Sequence, residues 1–99
     1  MTYIDEVLRL YVRLSDTPSH PRPLDRILAA QLQQQLVPIE IIRAALLIGA
    51  IRHAAPDRPR LQPIRSLHYF LPIIEEIRPD PIEPGYLAYL EHCLARLSR

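Results

Sequence analysis

The sequence predicts an all-α fold, a compact bundle of four to five helices packed around a central apolar helix at about residues 38–53 and joined by proline-rich loops. Three observations lead there. Apolar residues recur at the three- and four-residue spacing of a helix along most of the chain. Val, Thr and Gly are scarce, and no useful stretch alternates with the period of two that a half-buried strand requires. Eleven prolines cut the chain into helix-sized pieces, because a proline ring breaks a helix interior but is tolerated in its first turn.

The first helix is expected from Tyr3 to about Leu14, with Thr2 and Asp5 approximating a capping box. Ile4, Val7, Leu8, Tyr11 and Leu14 fall on one face. Residues 15–22, with Asp16, Pro18, His20 and Pro21, read as a loop. Pro23 can open a second helix, whose apolar stripe is predicted to be Leu24, Ile27, Leu28, Leu32 and Leu36, ending in a glutamine-rich turn. Pro38 opens the third helix. Apart from Glu40 and Arg43, it is apolar around nearly its whole circumference before Arg52, the pattern of a helix surrounded by others. Gly49 in its interior costs roughly 1 kcal/mol relative to Ala, which close approach of a neighbouring helix would explain.

Residues 55–63 form a second proline-rich loop. A fourth helical segment starts near Ile64, and Pro72 must kink it or split it into Ile64 to Leu71 and Pro72 to Ile77. The last helix opens around Glu83-Pro84, with Tyr86, Leu90, Cys93, Leu94 and Leu97 on its apolar face.

A chain of 99 residues suits one domain spanning 1–99, and the initial Met favours a stand-alone protein. Hydrophobic content of 48% against 23% charged residues separates it from disordered sequences. A single cysteine rules out an intramolecular disulfide. No signal-peptide pattern opens the chain, and the longest uncharged apolar run, Ala44 to Ile51, is far short of the roughly 20 residues that span a bilayer. A cytoplasmic protein with no membrane partner is expected.

Catalytic patterns are missing. His20, His53, His68 and His92 share no metal-ligand spacing, and two glycines cannot build a phosphate-cradling loop. Glu75-Glu76 and Asp5-Glu6 are sequence neighbours that point apart on a helix. Cys93 lies on an apolar stripe and reads as core. The expectation is no catalytic residue, no metal, no cofactor and no small-molecule substrate.

Charge offers the better lead. All twelve basic residues are Arg, with a net charge of +1, so attraction to an anionic partner must be local. Codon usage in a GC-rich genome accounts for the preference just as well. Residues 52–65 carry Arg52, Arg58, Arg60 and Arg65 against Asp57, whereas residues 75–91 are acidic. The macrodipole accounts for Arg52 at a helix C-terminus but not for Arg58 and Arg60. Four arginines could hold phosphates, with Tyr69 or His68 stacking on a base. A solvated charged loop is the plain alternative. Asp25 to Arg43 has the outline of a helix-turn-helix, but its second helix is too apolar to read base edges.

The stretch Leu24 to Ile77 resembles the small helical domain of DnaD-type primosome and replisome-organiser proteins. In that domain an apolar helix is followed by a short Ser/Asn-Leu-x-Tyr segment and another apolar helix, matched here by Ser66, Leu67, Tyr69, Ile73 and Ile74. The string from Pro63 to Pro72 is also similar to small proteins of bacterial mobile elements. Two departures stand out: Leu36 where a helix-ending Gly is expected, and Pro72 within the final helix. The resemblance implies contact with DNA or with replication proteins and no catalysis. Two functions are therefore expected in order: a nucleic-acid-binding accessory protein using Arg52, Arg58, Arg60, Arg65 and Tyr69, or a protein-interaction adaptor or homo-oligomer, suggested by apolar excess around Tyr86 to Tyr89.

Overall fold

In a computed structural model, which describes residues 2–14, 17–18, 20–54, 64–79 and 83–97, five α-helices and one 3₁₀ turn follow one another and no strand occurs among the described residues. The helices are α1 (Tyr3–Val12), α2 (Pro23–Gln34), α3 (Ile39–Ala54), α4 (Leu71–Ile77) and α5 (Pro84–Leu97), with the 3₁₀ helix at Leu67–Phe70 directly before α4. The radius of gyration, 12.9 Å, is that of a packed domain of this length.

The expected centre is the real one. α3 contacts α1, α4, α5 and the 3₁₀ helix, and its buried residues lie all round its axis, with Ile42, Leu46 and Gly49 on one side and Ile41, Ala44 and Leu47 on the others. α2 packs on α1 and the 3₁₀ helix, and so lies at the edge of the bundle. Thr2 caps α1 as the sequence suggests, its Oγ1 accepting from the amide of Asp5 at 3.2 Å. α1 ends two residues early, at Val12. Thr17 seals that end by donating its hydroxyl to the carbonyls of Leu14 (2.7 Å) and Tyr11 (3.1 Å).

The stripe expected on α2 is wrong by a partial turn. Leu28 and Leu32 are buried, but Leu24, Ile27 and Leu36 are exposed, and the inward face is completed by Asp25 and Ala29 instead. Those four positions keep helical spacing, so periodicity alone could not choose between two overlapping stripes. Asp25 decides. Its Oδ2 accepts from the Arg22 amide (2.9 Å), and its Oδ1 from the Leu67 amide (2.9 Å) and the Ser66 hydroxyl (3.4 Å). One carboxylate thus caps α2 and anchors the start of the 3₁₀ helix.

Pro72 splits its segment rather than kinking it. Ser66, in extended conformation, caps the 3₁₀ turn by accepting from the His68 amide at 3.1 Å, so helical structure starts at Leu67, not Ile64. Pro72 then takes the first turn of α4, where its missing N–H costs nothing. On α5, Leu90 is buried and Leu87 packs on the core, while Tyr86 and Tyr89 face outward, stacked at 5.9 Å and 26°. The expectation of Tyr86 as an inward residue is therefore corrected: the packed face passes through Leu87, Leu90 and Leu94.

Candidate nucleic-acid interface

Where α3 ends, its last turn presents Arg52 and His53, both favourable at the negative pole of the helix. The 3₁₀ helix returns to this end because Phe70 is fully buried and lies against Gly49. That anchoring sets Tyr69 next in line, 40% exposed, with its ring edge-on to His53 (6.1 Å, 83°) and to Phe70 (5.1 Å, 77°). Arg65 is exposed on the extended segment leading into the 3₁₀ turn. The His68 ring nitrogen Nδ1 lies 3.0 Å from the Ser66 hydroxyl.

Of the five residues expected to contact nucleic acid, the fold thus brings Arg52 and Tyr69 to the same end of α3, linked through His53, with Arg65 four residues before Tyr69. Arg58 and Arg60 lie outside the described residues. Two neighbours could not be anticipated. Glu76 of α4 pairs with Arg52 at 3.5 Å, both groups about half exposed, so the pair contributes little stability. His53 supplies the ring that supports Tyr69. Neither relation follows a spacing rule, because each joins residues from different helices.

The glutamine-rich end of α2 is taken up structurally. Arg78 donates Nη2 to the Gln35 carbonyl (2.7 Å) and Nη1 to its Oε1 (3.3 Å), satisfying a C-terminal carbonyl of the helix. Gln31, Gln33 and Gln34 are exposed. Among the described residues no three His, Cys, Asp or Glu side chains cluster as metal ligands would, and no helix is long and apolar enough to cross a membrane. Cys93 is a free, half-buried thiol on α5.

An all-α bundle with a solvent-facing arginine and aromatic group at one end is the class that fold and site define. Compared with protein-family models, curated proteins and solved structures, the chain finds no match in any of the three.

Proposed function

We propose that this chain is a non-catalytic nucleic-acid-binding accessory protein of a bacterial replication or mobile-element system, acting in the cytoplasm. The observation that carries the reading is the edge-on packing of Tyr69 against His53. It holds a ring that is 40% exposed at the end of α3 that also carries Arg52, four residues along the chain from Arg65. An exposed aromatic ring on a segment that also carries arginines suits a flexible strand, whose bases stack while its phosphates meet arginine. Arg52 already pairs with Glu76, so phosphate contact would depend on Arg65 together with Arg58 and Arg60, which Asp57 opposes in sequence.

Fluorescence anisotropy with labelled single- and double-stranded oligonucleotides at about 50 and 200 mM salt tests this. Affinity that falls steeply between those salts supports phosphate contact. Arg58→Ala/Arg60→Ala then weakens binding on every sequence and lowers the slope of log K against log salt by roughly 1.5. No binding by the wild-type chain at the lower salt overturns the reading.

A second reading, a protein-interaction adaptor, draws on Leu36. This residue combines a left-handed backbone (φ 59°) with 85% exposure, a conformation unfavourable for a branched side chain in a place where it buries nothing. Burial of Leu36 in a partner would account for leucine there. Light scattering coupled to size exclusion at high concentration tests the self-associating version, which a strict monomer excludes.

A further inference from the structure

A cleft of about 250 Å³ opens between α1, α3 and α5, and none of the residues assigned to the candidate interface lines it. Its floor is apolar: Leu10 and Leu14 from α1 and the turn after it, Leu46 and Leu47 from α3. Its rim is charged, with Arg13, Arg43 and Glu91. For scale, a cavity of roughly 150 Å³ lined by apolar side chains accepts benzene, so this one has room for about ten non-hydrogen atoms.

Each part of the cleft is held in place. Leu14 lies beyond the helical residues of α1, yet its amide donates to the Tyr11 carbonyl (3.2 Å) and its own carbonyl accepts the Thr17 hydroxyl (2.7 Å). Leu46 and Leu47 belong to the buried face of the central helix. Arg43 is the only charge on α3 between Glu40 and Arg52, and it pairs with Glu91 of α5 through a single hydrogen bond from Nη2. A guanidinium has five donors, so Arg43 has N–H groups beyond the one given to Glu91. Arg13 caps the end of α1 and is exposed, and no ion pair involving it occurs among the described residues. Two cations and one anion leave the rim with one net positive charge above an apolar floor.

We propose that this cleft binds a free amphiphilic monocarboxylate of about ten non-hydrogen atoms, such as a medium-chain fatty acid. The tail lies on Leu10, Leu14, Leu46 and Leu47. The carboxylate accepts from Arg13 and from the N–H groups of Arg43 not used by Glu91, which matches a single negative charge to the single excess positive one. A cleft of this size takes head and tail together, which favours a free acid over a lipid anchored in a bilayer.

The test is a titration of the full chain, methyl-labelled for NMR, with butyrate, hexanoate, octanoate and decanoate. Saturable shifts are expected at the methyls of Leu10, Leu14, Leu46 and Leu47. Affinity should rise about fourfold per added methylene up to octanoate and then level off as the cleft fills. Octylammonium should fail to bind. Arg13→Gln should weaken octanoate about tenfold and leave octan-1-ol unchanged, whereas Leu14→Trp should block both by filling the cleft. Absence of saturable shifts, equal affinity for octanoate and octylammonium, or an affinity that climbs as steeply from octanoate to decanoate as before would each overturn the proposal. Arg13→Gln alters only an exposed side chain, so the charge arm stands even if the tryptophan variant does not fold.

Discussion

The ring of Phe70 occupies the space that a side chain on Gly49 would need: a Cβ there would lie 2.5 Å from both Cδ1 and Cε1 of that ring and 3.0 Å from Cδ1 of Ile73. The central helix and the 3₁₀ helix therefore touch backbone to ring. Gly49→Ala gains about 1 kcal/mol of helix propensity but forces a fully buried aromatic ring to move, at a cost of roughly 1–3 kcal/mol. The net expectation is a loss of up to about 2 kcal/mol, read as a lower urea midpoint with unchanged slope. A stabilised variant would mean that Phe70 shifts freely.

Asp25 joins two segments 42 residues apart through the Leu67 amide, and the carboxylate is 1% exposed. Asp25→Ala leaves that buried amide without an acceptor and uncaps α2, so a loss of roughly 3 kcal/mol is expected in chemical unfolding. Asp25→Asn should lose less. Its single carbonyl oxygen can accept on the Leu67 side or the Arg22 side, but the amide group facing the other donor repels it. Equal stability of Asp25→Ala and wild type would remove this carboxylate from the forces that hold the fold.

What could be read from the sequence follows from the range of each signal. The α3 pattern, the Thr2 cap and Pro23 in the first turn of α2 are local, and they place helices. Gly49 also spoke plainly, because a glycine inside a long apolar helix costs stability that only a close neighbour repays. The inward face of α2 did not, since Leu24 and Ile27 compete with Asp25 and Ala29 at the same period, and the deciding bond comes from Leu67. The candidate interface was legible as composition, a run of arginines. Its geometry was not, because Arg52 meets Glu76 and His53 meets Tyr69 only after the chain has turned back on itself.

Leu36 closes α2 in a left-handed turn of the Schellman type. Its amide donates to the Gln33 carbonyl (3.0 Å) and that of Val37 to Leu32 (3.1 Å). The glycine expected there from sequence would fit that backbone without steric cost. Leu36→Gly should therefore raise stability by about 0.5–1 kcal/mol, measured by thermal or urea unfolding. Destabilisation would show that the leucine side chain makes a contact of value within the chain.

Tyr11 is fully buried, and its hydroxyl finds no hydrogen-bond partner among the described residues. Burial, reinforced by the Asp25 charge and opposed by Arg22, pushes its pKa up from 10.0 to about 12. Below pH 10 the phenol is neutral in both states. Between pH 10 and 12 only the unfolded chain releases the proton, so stability falls as pH rises, by roughly 2 kcal/mol over that interval. Tyr11→Phe should remove that part of the alkaline decline and change neutral-pH stability by less than about 1 kcal/mol. An unchanged alkaline profile would assign the decline elsewhere, for instance to Tyr3, whose pKa burial also raises and whose hydroxyl donates to the Val37 carbonyl at 2.8 Å.

Tyr69 separates stacking from mere positive charge at the candidate interface. Its ring packs edge-on against both His53 and Phe70, and 40% of the residue stays exposed. If bases stack there, Tyr69→Ala should weaken single-stranded oligonucleotide binding about tenfold, the value of one base–aromatic contact, with a salt slope equal to that of wild type. Tyr69→Phe keeps the π face and should bind like wild type. Duplex binding, in which bases are already stacked, should change little. Because the ring also packs on His53 and Phe70, each variant needs its unfolding midpoint measured alongside. A tenfold loss in a variant as stable as Tyr69→Phe is the signature of stacking, while equal affinity in all three proteins would leave arginine alone to account for any binding.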